Sequence, residues 1–251
     1  MRLVSLCPSL TELVFDLGAG ESLVARTRFC IHPAEGVSHV ERVGGTKNPK
    51  IARILELAPD LVLMNEEENR REDADALRAA GISVHASMPR TADDTAGMVR
   101  SIAAAVDRQL QGEAIARDIE RRAARVAQGA ASHAPVSFAY FIWRAPWMTV
   151  NGDTFVDGLL SLAGGRNVFT QTAERYPSVT VEQLRDADPA LVLLSSEPFP
   201  FTELHADELA ELTQLPRRRF QLVDGELLSW HGSRTPRGID YAESVIAAGR
   251  R

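Results

Sequence analysis

TADDTAGMVRSIAAAVDRQLQGEAIARDIERRAARVAQG, residues 91–129, is the stretch around which the rest of the chain is organised. It contains no proline, and its apolar residues recur at roughly helical spacing. Acidic residues lie near its start and arginines near its end, the order that a helix dipole favours. The pattern predicts a short helix over about Asp94–Arg108 and a longer one over about Gly112–Gln128. At about 1.5 Å per residue the longer helix spans roughly 25 Å.

The composition is that of a soluble globular protein and argues against several functions. The 251 residues are 45% hydrophobic and 25% charged, and the net charge is −6. No basic block exceeds Arg217–Arg219, so we expect no nucleic-acid partner. Cys7 and Cys30 fit neither a disulfide framework nor a metal pair by their spacing. No apolar run is long enough to span a membrane.

The start of the chain, MRLVSLCPSLTEL, bears on localisation. Its apolar run is too short for a signal peptide, and no small-residue cleavage site follows. Taken as the native start, it predicts a cytoplasmic protein. If a leader was trimmed, the protein would be periplasmic or lipid-anchored.

Short apolar runs alternate with helical segments on both sides of residues 91–129. Two of the helices begin at predicted capping boxes, Ser9 with Glu12 and Thr180 with Gln183. This alternation is the signature of parallel sheets with helices on their faces. The predicted strands are Leu3–Leu6, Leu23–Ala25, Leu61–Met64 and Ile82–Val84 before the stretch, and Val136–Phe141, Leu191–Leu194 and Phe220–Val223 after it.

The two sides also resemble each other. Residues 51–64, IARILELAPDLVLM, match residues 181–194, VEQLRDADPALVLL, and each reads as a helix, a proline turn and a four-residue apolar strand. We therefore predict an α/β fold of two small parallel-sheet lobes joined by a long backbone α-helix, with a ligand cleft between the lobes. The predicted parts are an N-terminal lobe (1–90), linking helices including the backbone helix (91–132) and a C-terminal lobe (133–251).

The loops that follow the strands are the expected walls of the cleft, because ligands of open α/β sheets lie beyond the carboxyl ends of the strands. All three tryptophans, Trp143, Trp147 and Trp230, are predicted to lie in such loops. They form either a flat apolar platform for a large, partly polar ligand or a plug for the C-terminal core. The sequence leaves both readings open.

None of the six histidines shows a zinc-binding spacing. His32, His205 and His231 are predicted to lie in loops near the cleft. Each is a candidate for holding a transition metal or the axial position of a metal macrocycle, and a solvated loop histidine is the alternative. No nucleophile elbow, phosphate loop or dinucleotide fingerprint is present, so an enzyme has little support.

Several stretches resemble the class III substrate-binding proteins of ABC importers, the helical-backbone metal-receptor family. They are LCPSLTELVFDLGAG (6–20), VGGTKNPKIARILELAPDLVLM (43–64), GDTFVDGLLSLAGGRNVF (152–169), YPSVTVEQL (176–184) and DPALVLL (188–194). Members of this family bind cobalamin, ferric siderophores, haem or metal ions, and the cobalamin-binding branch looks nearest. The resemblance implies a non-enzymatic binder of such a ligand that requires no cofactor, with a backbone helix that restricts closure of the lobes.

Carried over by position, the resemblance also implies a ligand pocket built from the strand-end loops. Its residues would be Pro8, Ser9, Arg28, Phe29, Asn65, Glu66, Glu67, Trp143, Trp147, Tyr176, Trp230 and His231.

The implied partners are a small-molecule or metal-complex ligand and an ABC permease, with the protein itself a monomer. Family members that dock to an importer carry a carboxylate on each lobe. The first lobe offers Glu66–Glu68 and Glu72, but the matching loop of the second lobe, WHGSR (230–234), has Gly232 and no acid. The alternative is a leaderless cytoplasmic protein that handles or senses a small molecule or metal on the same fold without docking to an importer.

Overall fold

The computed structural model describes residues 1–250 and divides into two compact units. The first unit comprises Met1–Pro89, Asp93–Asp118 and His231–Arg234. The second comprises Arg90–Ala92, Ile119–Trp230 and the chain from Thr235 onward. The division thus falls inside the linking segment predicted at 91–132, and four residues close to the C-terminus belong to the first unit.

The first unit is built on a five-stranded sheet in which all neighbouring strands are parallel. Its strands are β1 (Leu3–Ser5), β2 (Leu23–Arg26), β3 (Glu41–Arg42), β4 (Leu61–Asn65) and β5 (Ser83–Ser87), in the order β3-β2-β1-β4-β5. The helices that connect them are α1 (Pro8–Asp16), α2 (Ala34–Val37), α3 (Ile51–Glu56) and α4 (Arg71–Ala79). β4 is buried along its whole length, as expected for the apolar run of an inner parallel strand.

The stretch that separates the two echoed segments forms two helices, as predicted: α5 (Ala92–Ala105) and α6 (Gln109–Ala130). α6 is about 33 Å long at about 1.5 Å per residue. A Cβ added at Gly112 of α6 would lie 2.2 Å from the Cβ of Ala103 in α5, so the two helices approach closely at this point. Within residues 1–250 no helix, α6 included, combines the length and apolar character needed to cross a membrane.

The second unit holds a second five-stranded sheet. Its strands are β6 (Val136–Trp143), β7 (Met148–Thr149), β8 (Gly165–Asn167), β9 (Leu191–Ser195) and β10 (Phe220–Val223). The order is β10-β9-β6-β7, with β8 also pairing with β6, and only the β6–β7 pair is antiparallel. Its helices are α7 (Phe155–Leu162), α8 (Val181–Ala187), α9 (Glu203–Thr213), α10 (Gly225–Ser229) and α11 (Thr235–Ala248).

Carboxylates of α11 pair with arginines from the second half of α6. Arg125 donates to Asp240 Oδ1 at 2.6 Å and to Glu243 Oε2 at 2.8 Å, and Arg122 also pairs with Asp240. The basic end of α6 is thus held within the second unit by ion pairs. These pairs are partly exposed, so each contributes little by itself.

The two echoed segments fold alike, α3 with β4 and α8 with β9. In each, a residue with positive φ directly precedes the proline of the turn: Ala58 at 44° and Asp188 at 42°. The predicted capping box at Thr180 is present at the start of α8. The one predicted at Ser9 is wrong, because Pro8 already occupies the first turn of α1 and Cys7 takes the N-cap position.

Candidate functional site

Two of the predicted ligand residues in the first unit are exposed and directly follow β2. Arg28 places its guanidinium carbon 4.7 Å from the centroid of the Phe29 ring, and Phe29 is 47% exposed. An aromatic ring with a cation on its face offers a ligand both flat apolar area and positive charge. These two side chains are therefore available for contact with a ligand.

Pro8 and Ser9 lie in the first turn of α1, where Pro8 is half-buried and Ser9 is buried. Ser9 Oγ lies 3.3 Å from the Sγ of Cys7. Burial raises the pKa of the Cys7 thiol to about 12, so the thiol is protonated at neutral pH. A protonated, buried thiol is not a nucleophile, and this corner serves packing and hydrogen bonding.

Asn65, the last residue of β4, orders the acidic loop that follows it. Its Oδ1 accepts hydrogen bonds from the backbone N–H groups of Glu67 and Glu68, each at 3.0 Å, and its Nδ2 donates to the Ser87 carbonyl at 2.9 Å. The residue is buried. Glu66 is exposed and Glu67 half-buried, so Asn65 holds these carboxylates at the edge of the sheet.

His231 belongs to the first unit, where it is buried. Its Nε2 lies 3.3 Å from Asn65 Nδ2 and 3.5 Å from Ser9 Oγ. Because Asn65 Oδ1 is engaged by backbone N–H groups, the NH₂ group of Asn65 faces the imidazole and Nε2 is the acceptor. The structure therefore gathers Ser9, Asn65 and His231, and it engages Nε2 of His231, a candidate metal ligand, in contacts within the protein.

Two of the three tryptophans, half-buried Trp147 and buried Trp230, pack against other side chains of the second unit. Trp147 stacks on Phe201 with ring centroids 6.1 Å apart and an interplanar angle of 9°. Trp230, the residue that ends α10, is buried, and its Nε1 donates to Glu197 Oε1 at 2.8 Å. For Trp147 and Trp230 the structure therefore supports the core plug rather than the platform.

Trp143 differs from the other two tryptophans. It was predicted to lie in a loop, but it is the last residue of β6. Its side chain is 41% exposed and meets Phe199 edge-on, with ring centroids 5.8 Å apart. A strand end gives this indole a more fixed position than a loop would, and the exposed face offers area for stacking.

His205 was also predicted to lie in a loop, and this is wrong, because it lies in the first turn of α9. Its Nδ1 accepts a hydrogen bond from the Thr202 backbone N–H at 3.0 Å. Nδ1 therefore carries the lone pair, and in the neutral ring Nε2 carries the hydrogen. That tautomer acts as a helix cap rather than as a metal ligand.

The remaining predicted residues, His32 and Tyr176, are half-buried and lie in the segments before α2 and α8. Over residues 1–250 no group of three or more histidine, cysteine or acidic side chains is arranged to hold a metal ion. The described side chains thus give no preformed cage for a bare metal.

Each unit has a cavity at the carboxyl end of its echoed strand. In the first unit it has a volume of about 410 Å³ and is lined by Asn65, Glu66 and three arginines, Arg70, Arg71 and Arg78. In the second unit it has a volume of about 540 Å³ and is lined by Ser196, Leu222 and Val223 together with Glu197, Asp224 and Glu226. These arginines were not among the predicted site residues. Arg70-Arg71 at the start of a helix could have pointed to them, because positive side chains are unfavourable at that end of a helix.

The model of a family described as "Periplasmic binding protein" matches residues 3–215. The chain belongs to this family of periplasmic binding proteins. The resemblance stated from the sequence is therefore confirmed, and so is the fold class. A periplasmic binding protein is not an enzyme and needs no cofactor, in agreement with the prediction.

Relatives of this periplasmic binding protein include a vitamin B12-binding protein from Vibrio cholerae, 26% identical over 97% of this chain and 87% of the relative. Another, from Photorhabdus laumondii, is 28% identical over 78% of this chain and 70% of the relative. Among solved structures, the periplasmic vitamin B12-binding protein BtuF of Vibrio cholerae has a TM-score of 0.86 at 23% identity, covering 100% of this chain and 98% of that one. The haem-binding protein RhuT from Roseiflexus sp. RS-1 has a TM-score of 0.83 at 24% identity, covering 99% and 98%. At these identities the solved structures share the fold.

In this periplasmic binding protein the loop that follows Trp230 carries no acid at Gly232. Gly232 is buried and has φ 116°, a conformation that side chains rarely adopt. Two residues on, Arg234 pairs with Glu12 of α1 in a mostly buried ion pair. The loop therefore packs within the first unit, and it offers no carboxylate at Gly232.

Proposed function

We propose that this protein is the ligand-binding component of an ABC importer and that its ligand is a corrinoid of the vitamin B12 type. The observation that carries the proposal is the match to vitamin B12-binding proteins over almost the whole chain. Haem and ferric siderophores are the other ligand classes in the proposal, because the same fold carries proteins named as haem-binding. We propose the periplasmic side of the membrane as its place of action.

The exposed side chains at the strand ends support a large ligand with a flat apolar face and polar edges. Phe29 in the first unit and Trp143 in the second are among the large apolar side chains left open to solvent. Arg28, next to Phe29, adds a hydrogen-bond donor and a positive charge. We propose that these three residues contact the ligand, whereas Asn65, Trp147, Trp230 and His231 position the walls around them.

The test is a titration of tryptophan fluorescence with cyanocobalamin, haem and a ferric siderophore, each corrected for inner-filter absorption with free N-acetyltryptophanamide. We expect saturable quenching by cyanocobalamin at micromolar concentrations. Equilibrium dialysis with the same compounds gives an independent measure of binding. If none of the three is retained in dialysis at micromolar levels, the proposed function is wrong.

A pair of variants locates the site. Trp143→Phe removes the exposed indole, and Trp147→Phe removes one that stacks on Phe201 inside the second unit. Loss of one stacking indole is expected to weaken binding by about tenfold, whereas the Trp147 variant keeps its affinity and loses stability. Equal affinities for both variants would remove Trp143 from the site.

A second function, a protein of the same fold that does not dock to an importer, is favoured by one observation. The loop at the second docking position has a buried glycine in a strained conformation for any side chain, and its neighbour Arg234 is paired inward. Fractionation of cells that express the gene with its native upstream sequence separates the two. Recovery in the periplasm supports the importer component, and recovery in the cytosol supports the undocked protein.

A further inference from the structure

The cavity of the first unit, of about 410 Å³, has a strongly cationic lining. Its lining residues include three arginines, Arg70, Arg71 and Arg78, and one acidic residue, Glu66. Met64 and Ala74 contribute an apolar floor. The lining therefore carries a net positive charge, which favours an anionic occupant.

The side-chain amides that line this cavity, those of Asn65 and Asn69, already form hydrogen bonds within the protein. Asn69 accepts from the Asn65 backbone N–H and donates to the carbonyls of Leu6 and Thr46, and the Asn65 side chain is engaged as described above. The donors left for an occupant are thus those of the arginines.

Two of these arginines are only weakly paired within the protein. Arg71 Nε lies 3.7 Å and Arg78 Nη1 lies 3.4 Å from the carboxylate of Asp75, which both share. Charge-assisted hydrogen bonds are about 2.7–2.9 Å long, so neither contact is a full one. Arg70 is better satisfied, with a bidentate pair to Asp73 at 2.9 and 3.0 Å. Among residues 1–250, most N–H donors of Arg71 and Arg78 therefore have no protein acceptor.

The charges also oppose the helix on which they lie. Arg70 is the N-cap of α4 and Arg71 its first residue, and no side chain caps this end. Positive side chains at the positive end of a helix dipole are unfavourable, and the acidic residues of the first turn, Glu72 and Asp73, offset part of this cost. An anion in the cavity would offset the remaining repulsion and that among the guanidinium groups.

The equivalent cavity of the second unit shows that the position alone does not require arginines. That cavity lies at the end of the echoed strand β9, and carboxylates of Glu197, Asp224 and Glu226 line it. Two cavities at corresponding strand ends thus have opposite charge. The cationic lining is a property of this site rather than of the fold.

From the cavity, the weakly paired arginines and this contrast, we propose that the first unit binds a small organic or inorganic polyanion through Arg71 and Arg78, with Arg70 in support. The ligand carries phosphate or at least two carboxylate groups. This inference does not rest on the proposed corrinoid function, since it concerns a different class of ligand and different side chains.

The experiment uses the whole protein with a ¹⁵N label and follows the Nε–H signals of its arginines. Inorganic phosphate and citrate are titrated separately, and potassium chloride at matched ionic strength controls for screening. We expect saturable shifts of a small set of arginine signals with phosphate, with citrate or with both, beyond those that chloride causes. The two arms decide between phosphate and carboxylate as the recognised group.

The double variant Arg71→Gln/Arg78→Gln assigns those signals and removes the site. Its matched control, Arg218→Gln/Arg237→Gln, removes two exposed arginines outside the cavity. The first variant is expected to weaken binding by about tenfold or more and the control by less than about twofold, since charge-assisted hydrogen bonds are lost only in the first.

Linear shifts that match those of chloride, or equal affinities for the two double variants, would overturn the proposal. If the Arg71/Arg78 variant does not fold, as judged by circular dichroism, the wild-type titration still decides. Corrinoid binding is measured on the same samples by dialysis. The polyanion proposal and the corrinoid proposal can therefore fail independently of each other.

Discussion

The two echoed segments end in the same local turn but differ in what surrounds it. At the end of β4 the side chain of Asn65 accepts a hydrogen bond from the backbone N–H two residues on, at Glu67. At the end of β9 Ser195 Oγ accepts from the N–H of Glu197, also two residues on, at 3.3 Å. A short polar side chain thus closes the turn after the strand in both units.

The surroundings of the two turns differ in polarity. The amide of Asn65 faces His231, and the adjoining cavity is lined by arginines. Ser195 instead accepts a hydrogen bond at 2.9 Å from the hydroxyl of Tyr140, whose pKa is raised by burial, and the adjoining cavity is lined by carboxylates. The repeated pattern thus determines the backbone at these strand ends, whereas residues outside the pattern set the chemistry of each end.

The largest expected effect comes from removing the two turn-closing side chains. Asn65→Ala leaves two backbone N–H groups and the Ser87 carbonyl without their partner, and we expect a loss of about 2–4 kcal/mol in the free energy of unfolding. Ser195→Ala leaves fewer groups unpaired and is expected to cost about 1–2 kcal/mol. Urea unfolding followed by circular dichroism measures both. A cost for Ser195→Ala equal to or above that for Asn65→Ala would show that the two turns do not differ as described.

The next effect concerns α5 and α6, which have no counterpart in the echo. Gly112→Ala places a methyl group 2.2 Å from Ala103 and is expected to destabilise the protein by about 1–3 kcal/mol through overpacking. Gly97 of α5 is the matched control, because a Cβ there meets nothing within 4 Å. Gly97→Ala is expected to stabilise by about 0.5–1 kcal/mol. Thermal unfolding by calorimetry checks the opposite signs, and two changes of the same sign would contradict the close approach of the helices.

A smaller effect is expected at the paired proline turns. Ala58→Gly relieves a left-handed conformation that alanine adopts at a cost, and we expect a gain of up to about 1 kcal/mol. Asp188→Gly is expected to gain less, because aspartate tolerates this conformation and Asp188 also pairs with Arg219. Chemical unfolding of the two single variants makes the comparison. A larger gain in stability for Asp188→Gly than for Ala58→Gly would contradict the expected difference between the two turns.

The smallest effect is an acid-side pH dependence in the first unit. Hydrogen bonds from Arg100 and Arg117 lower the pKa of Glu113 from 4.5 to about 2. A carboxyl whose pKa is lower in the folded than in the unfolded protein contributes stability above pH 4.5, and this is lost as the pH falls from about 4.5 to 2.

Glu113→Gln is therefore expected to flatten the dependence of unfolding free energy on pH over that range, with the exposed Glu211→Gln as control. Identical acid profiles for Glu113→Gln and the parent protein would argue against the ion-pair network.

Much of the fold could be predicted from local signals in the sequence. The apolar runs of β4 and β9, the capping box at Thr180 and the period of α6 are each encoded within a few residues. α9 was not among the predicted elements, although Ala206, Leu209, Ala210 and Thr213 are buried at helical spacing. Two further leucines of this helix, Leu204 and Leu212, are exposed, so its apolar residues do not follow a single face.

The site could be predicted only in part, because its geometry depends on contacts between residues far apart in sequence. The sequence predicted that Glu12 forms a capping box with Ser9, but its partner in the structure is Arg234, 222 residues away. Nothing local indicates that His231 lies against Asn65, or that Trp230 is buried and Trp147 half-buried while Trp143 is exposed. For the same reason the arginine-lined cavity could not be predicted, because it forms only where residues of α4 lie near the ends of β4 and β5.

The placement of His231–Arg234 in the first unit has a consequence for how the protein is made. A ribosome releases the sheet of this unit, residues 1–89, well before residues 231–234, which face Asn65 and pair with Glu12. During that interval Glu12 lacks its partner Arg234, and the Asn65 amide has its local partners but lacks His231. We expect a nascent first unit that is compact but incomplete, and whose final closure waits on translation of residues 231–234.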